Sequence, residues 1–188
     1  MHPWHDLSPG LHPPEDINVV IEIPHGSRNK YELDKGTGMY RLDRVLYSSV
    51  HYPGDYGLMP RTLSEDGDPL DVLVLLKEST FPGCIVQCRP LGLLRMRDRG
   101  EFDEKIIAVA SHDPLQRDYF DIADLPRHRL KEIEHFFEIY KELEGGHIEI
   151  VGWEQSIAAC QEIMISLLRY QEKFPNGVTT EEEALRVG

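Results

Sequence analysis

Apolar residues in this chain fall first into a period of two and later into a period near 3.6. Ile17, Val19, Ile21 and Ile23 alternate with Asn18, Val20 and Glu22, which predicts a strand over Ile17–Ile23 with Glu22 on its other face near the end. In Asn29–Asp34, Lys30, Glu32 and Asp34 point one way and Tyr31 and Leu33 the other. Arg41–Tyr47, Asp71–Leu76, Cys84–Met96 and Lys105–Ala110 are further apolar or β-branched runs, separated by turn residues. Short antiparallel strands with irregular connections predict a barrel rather than a parallel layered sheet.

The last third changes period. Asp124-Leu125-Pro126 reads as a helix start, with a capping side chain followed by Pro in the first turn. Leu130, Ile133, Phe137 and Tyr140 then recur three and four apart, and Gly145-Gly146 ends that helix. Ile148–Val151 is strand-like. A second helix is expected over Glu154–Phe174, with Ile157, Cys160, Met164, Leu167 and Leu168 as the apolar stripe that covers the barrel. The expectation is a mainly β fold with α: a β-barrel and two C-terminal helices. Residues 1–16, rich in Pro and His, read as an irregular arm. The core spans 17–174, and 175–188 form a polar tail.

Length and charge narrow the function. The 188 residues suit one domain with a sizeable core. Twenty Lys and Arg against 33 Asp and Glu give a net charge of −13, which argues against nucleic-acid partners and anionic membranes. No apolar run is long enough to span a bilayer, and the N-terminus does not read as a secretory signal. Three cysteines, Cys84, Cys88 and Cys160, lack zinc spacing and fit reduced thiols in the cytoplasm.

The acidity is concentrated. Glu65-Asp66-Gly67-Asp68-Pro69-Leu70-Asp71 packs four carboxylates into seven residues at the mouth of an apolar run. Oxygen-only clusters suit hard divalent cations such as Mg²⁺ or Mn²⁺. A calcium loop of the EF-hand type does not fit, because Pro69 follows Asp68 and the twelfth position from Asp66 is not glutamate. Asp98 to Glu104 form a second acidic group, and Glu22 and Glu32 a third. Lys30, Arg44, Lys105 and Lys141 are interleaved with them, as are Tyr52, Tyr56 and Tyr140. Each element alone has an ordinary structural explanation: a solvated turn, a charged hairpin, a lysine at a helix end. Together they combine metal ligands with anion donors, which suits metal-assisted phosphoryl hydrolysis. A phosphatase for another phosphoester and a non-catalytic binding barrel are the competing classes.

Asp66–Asp71 (DGDPLD) and the blocks VVIEIP (Val19–Pro24), KYELDK (Lys30–Lys35), DRVLYSS (Asp43–Ser49), YPGDYG (Tyr52–Gly57), HFFEIYKELE (His135–Glu144) and GWE (Gly152–Glu154) resemble, in order, those of the soluble family I inorganic pyrophosphatases of prokaryotic type. The resemblance runs from about Ile17 to Phe174. It implies an oligonucleotide-binding-type five-stranded barrel and Mg²⁺-dependent hydrolysis of pyrophosphate to two orthophosphates, with several cations per site. It implies metal ligation by Asp66, Asp71, Asp103 and Asp98, with Glu22 and Glu32 completing the outer shell. Asp68 resembles the group that takes the proton of the attacking water. Lys30, Arg44, Tyr56, Lys105, Tyr140 and Lys141 resemble the phosphate-binding set, with Tyr52 in support. A cytoplasmic homohexamer is also implied. Arg99 departs from relatives that carry an acid there. The N-terminal arm and the tail fall outside the match and receive no chemistry.

Overall fold

The computed structural model describes residues 1–175; the predicted polar tail lies almost wholly outside them. Nine strands form: β1 (Ile17–Ile23), β2 (Asn29–Leu33), β3 (Tyr40–Val45), β4 (Asp55–Leu58), β5 (Asp71–Leu75), β6 (Ile85–Asp98), β7 (Glu101–Phe102), β8 (Lys105–Ala110) and β9 (Ile148–Gln155). Two helices follow the barrel strands, α1 (Arg127–Ile139) and α2 (Ser156–Lys173). Hydrogen bonding runs β1-β4-β5-β8-β6 and returns to β1, so five strands close a ring with no free edge. The 14-residue β6 also pairs with β7 and β9, helped by register shifts at Pro90/Gly92 and Arg95/Met96. β2 and β3 form a separate hairpin beside the mouth of the ring.

The barrel expectation holds, but not every pair is antiparallel. β5 and β8 run parallel, Asp71 opposite Lys105 and Leu75 opposite Val109. β4 lies in a stretch that reads as a Pro/Gly-rich loop. It is a strand because Asp55 ties down its start. The fully buried Asp55 carboxylate accepts from His25 N at 2.7 Å, Thr80 N at 2.8 Å and Thr80 Oγ1 at 2.6 Å. Gly57 is needed where β4 crosses β1, since a Cβ there would lie 2.1 Å from the Val20 carbonyl oxygen.

Both faces of the central strands are covered, which explains their continuous apolar text. Leu73, Leu75, Ile107 and Val109 pack with Ile133, Phe136 and Phe137 of α1. Val72, Val74, Ile106 and Ala108 pack with Ala159 and Ile163 of α2. Each Val, Leu, Ile or Phe among them contributes roughly 1.5–3 kcal/mol on burial.

The helices depart from expectation in detail. Asp121, not Asp124, supplies the capping oxygen: it closes a capping box on the 3-10 turn Ile122–Asp124, and Pro126 then precedes α1 without a side-chain cap. α1 stops at Ile139, and a 3-10 turn at Glu142–Glu144 carries the chain to Gly145 in the left-handed region. On α2 the face against the barrel is Ala159, Ile163, Ser166 and Tyr170. Of the predicted stripe, Leu167 packs against this core and Cys160 is half-buried, but Ile157, Met164 and Leu168 are exposed. The N-terminal arm is irregular, yet docked, with His2, Trp4 and His5 buried. Trp4 packs edge-on against Phe174 at 5.8 Å.

Candidate active site

The mouth of the ring collects charge from both layers of the chain. β1 carries Glu22 one residue before its end, β5 begins with Asp71, and β8 begins with Lys105. The loop between β4 and β5 supplies Asp66 and Asp68 around Gly67, whose φ of +90° makes the sharp turn that brings them together. β6 ends with Asp98, and Asp103 follows β7. Tyr140 and Lys141 follow α1, and β2 contributes Lys30 and Glu32 from the hairpin.

These groups line two joined hollows. One, of about 270 Å³, lies between the hairpin and the acidic loop and is lined by Glu22, Lys30, Glu32, Tyr56, Asp68 and Asp71. The other, of about 360 Å³, adds Asp66, Asp98, Asp103, Lys105, Tyr140 and Lys141. Two expected residues do not line the cavity. Tyr52 is buried behind it, its ring 5.5 Å from that of Tyr56. Arg44 sits on β3 opposite Lys30, pairs with Asp43, and places Nε 2.7 Å from Glu144 Oε2 without the angle of a hydrogen bond.

Lysines stand between the carboxylates. Lys105 is almost fully buried and bridges Asp71 and Asp103. Burial opposes its charge, but Asp71 and Asp103 outweigh that and hold the ammonium well above its ordinary range. Lys141 Nζ donates to Asp98 Oδ2 at 2.6 Å; burial opposes this charge too, and Tyr140 and Asp98 outweigh it. Tyr56 is raised by burial and then by Asp71 and Asp103, so its phenol stays a donor.

The carboxylates show what the cavity suits. Burial, with Asp71 adding repulsion, pushes Glu22 up to about 8, and its Oε1 accepts from Leu33 N at 2.8 Å. Asp66 is raised by burial, against the bond it accepts from Asp68 N at 2.9 Å. Asp98 Oδ1 is buried without a hydrogen-bond partner. Crowded oxygen donors, an orphaned carboxylate oxygen and carboxyls pushed toward their neutral form all fit a hard divalent cation. Among the described residues no three carboxylates or imidazoles already converge as a closed cluster; the ammonium groups lie among them.

Sequence reasoning assigned no role to Lys35 and Phe102 here. Lys35, just after β2, ion-pairs with Asp68. It follows the last residue of the alternating run, so period two assigns it no face. Phe102 and Arg99 also line the larger hollow. Arg99 and Gly100, with φ of 53° and 91°, are the two central residues of the tight β6–β7 turn, whose ends Asp98 and Glu101 pair. His25 and His51, near matched blocks, line neither hollow.

A family model described as inorganic pyrophosphatase matches residues 19–171. The chain is 50% identical over 173 residues to soluble inorganic pyrophosphatase 2 of Chlamydomonas reinhardtii, covering 92% of this chain and 90% of that protein. It is 51% identical over 171 residues to soluble inorganic pyrophosphatase 1 of Arabidopsis thaliana, covering 91% and 81%. A crystal structure of inorganic pyrophosphatase from Thermus thermophilus superposes with a TM-score of 0.85 at 45% identity, over 88% of this chain and 97% of that one.

Proposed function

Because the chain belongs to the inorganic pyrophosphatase family, we propose that it hydrolyses inorganic pyrophosphate to two orthophosphates at the mouth of the five-stranded ring. The reading rests above all on one observation: ammonium, phenol and carboxylate groups alternate around one hollow, so that cations and an anionic substrate can share it. Asp66, Asp71 and Asp103 would hold the tighter divalent cations, Asp98 a further one, and Glu22 and Glu32 the outer shell. Mg²⁺, several per site, or alternatively Mn²⁺, supplies charge neutralisation and makes a bound water more acidic.

The rest of the work falls to side chains. A carboxylate oxygen of Asp68 takes a proton from the attacking water. The water oxygen forms a bond to one phosphorus as the bridging P–O bond breaks, and the second phosphate leaves. Lys30, Tyr56, Lys105, Tyr140 and Lys141 bind phosphoryl oxygens and offset their charge, with Tyr52 packed behind Tyr56; Arg44 would join them only by leaving Asp43 and Glu144. Lys105 and Lys141 now pair with carboxylates that would hold the cations, and with those cations bound the two ammonium groups would be available to phosphate oxygens.

The assembly we favour is a homo-oligomer, a hexamer by resemblance, supported by the unpartnered apolar face of α2 around Ile157, Met164 and Leu168. No helix among the described residues is long and apolar enough to cross a membrane. The reading carries with it a cytoplasmic setting, in keeping with three unpaired thiols.

The test is phosphate release from pyrophosphate with Mg²⁺ titrated from zero. Release should need the cation, and Asp68→Asn should lose turnover by about 100-fold or more while keeping its circular dichroism. Absence of release from folded protein with Mg²⁺ or Mn²⁺, or equal turnover in Asp68→Asn, refutes the assignment.

A further inference from the structure

The N-terminal arm, which lies outside the family match, contacts Lys35, a residue that lines the cavity. It forms a closed turn, with His2 N donating to Asp6 Oδ2 at 2.6 Å and Asp6 N to the His2 carbonyl at 3.0 Å. His2 Nε2 lies 2.9 Å from the carbonyl oxygen of Lys35. A carbonyl can only accept, so Nε2 carries the proton, and Trp4 N donates to Nδ1 at 3.3 Å. The buried Trp4 ring lies below the Lys35 ammonium, with Nζ 5.6 Å from its centroid. That ammonium pairs with Asp68.

The same arm grips the opposite side of this pair. Trp4 Nε1 donates to the Thr62 carbonyl at 2.7 Å, and Arg61 N donates to the Trp4 carbonyl at 2.8 Å. Arg61 Nε donates to the His5 carbonyl at 3.1 Å. Thr62 anchors the base of the acidic loop, because its Oγ1 accepts from Leu70 N at 2.9 Å and donates to the Met59 carbonyl at 2.6 Å. One short segment thus fastens both the loop that carries Lys35 and the loop that carries Asp68.

We propose that His2 and Trp4 are positioning residues for the reaction: they hold Lys35 against Asp68, and the Lys35 ammonium orients that carboxylate. Lys35 is a further member of the cavity's cationic set, and it lines the smaller hollow beside Asp68. The inference rests on the pyrophosphate reading.

A double-mutant cycle tests it, using the full chain at saturating Mg²⁺ with pyrophosphate. Trp4→Leu and Lys35→Met should each lower kcat by about tenfold, since small misplacements at a reacting group cost that much or more. In the Lys35→Met background, Trp4→Leu should cost less than about twofold, because its effect passes through Lys35. Equal costs in both backgrounds overturn the proposal. If Trp4→Leu fails to fold, the His2 pair decides: His2→Gln keeps an amide donor near Nε2 and should retain most of the kcat that His2→Leu loses. Equal loss in the two overturns it. Hydrogen exchange gives a readout independent of turnover. Amides of residues 34–39 and 61–68 should exchange faster in His2→Leu, while those of β5 and β8 keep their rates. Unchanged exchange in those loops also counts against the proposal. A wild-type protein that releases no phosphate fails the pyrophosphate reading instead, and the exchange pattern still judges the arm.

Discussion

The two walls of the cavity are held by different physics. On the barrel side, Asp71, Tyr56 and Lys105 project from strands covered on both faces, and the Lys105 side chain is 4% exposed. Its charge is fixed by two carboxylates in a place water scarcely reaches. On the hairpin side, Lys30 pairs with Glu32, whose side chain is 53% exposed, and Arg41 pairs with Asp34 at the surface. Exposed pairs of this kind are screened and replaceable. The barrel wall is therefore preorganised before any ligand arrives, whereas the hairpin wall is adjustable and needs outside help. The arm supplies that help.

Breaking the buried wall should have the largest effect. Lys105→Met leaves Asp71 and Asp103 facing each other unneutralised. In chelator-treated protein this should cost about 3 kcal/mol in urea unfolding and abolish turnover, with Mg²⁺ returning part of the stability. Retention of both full stability and turnover would remove Lys105 from its assigned place.

Glu22 sharpens the comparison through pH. Its carboxyl is raised from 4.5 to about 8 in the folded chain. Between those values the unfolded chain has released this proton and the folded chain still holds it. Stability of the chelator-treated protein should therefore fall as pH rises from about 4.5 to 8. Glu22→Gln should flatten that slope, by a difference on the order of a few kcal/mol across the window. Parallel wild-type and variant curves would show that Glu22 does not titrate there.

The smallest effect belongs to the outside of the hairpin. Arg41→Ala removes a pair that lies off the cavity, and the urea midpoint and kcat/KM should both stay at the wild-type value. A marked loss of activity would mean that the hairpin wall transmits strain from its outer face.

The ring strands other than β4 and most of the charged groups were legible because their signals are local. β5 and β8 are continuous apolar runs opened by a charged residue, and DGDPLD carries its own turn. What escaped depends on distant contacts. β4 is a strand because Asp55 reaches His25 and Thr80, neither of which sits near it in sequence. Arg44 is drawn away by Glu144, a hundred residues on. The face α2 turns to the barrel is its less apolar one, because Ala159 and Ser166 permit close approach where Met164 and Leu168 would not. The arm reads as loose text, and its docking depends on Lys35, Thr62, Tyr170 and Phe174. Local periodicity carries none of this information.

The parallel pairing of β5 with β8 has a consequence in time. Parallel neighbours cannot be joined by a tight hairpin, and here the chain between Asp71 and Lys105 must first lay down the whole of β6. The seam that sets Lys105 beside Asp71 thus joins residues 34 apart, farther than those paired between β4 and β5 or β6 and β8 but nearer than the β1–β6 pairing of Ile17 with Cys88, and such non-local contacts form more slowly than hairpins as a chain folds. A nascent or refolding molecule can bury much of its apolar surface before those two charges meet. Chemical competence in this sense waits on a non-local pairing, and it arrives with the β5–β8 seam of the barrel.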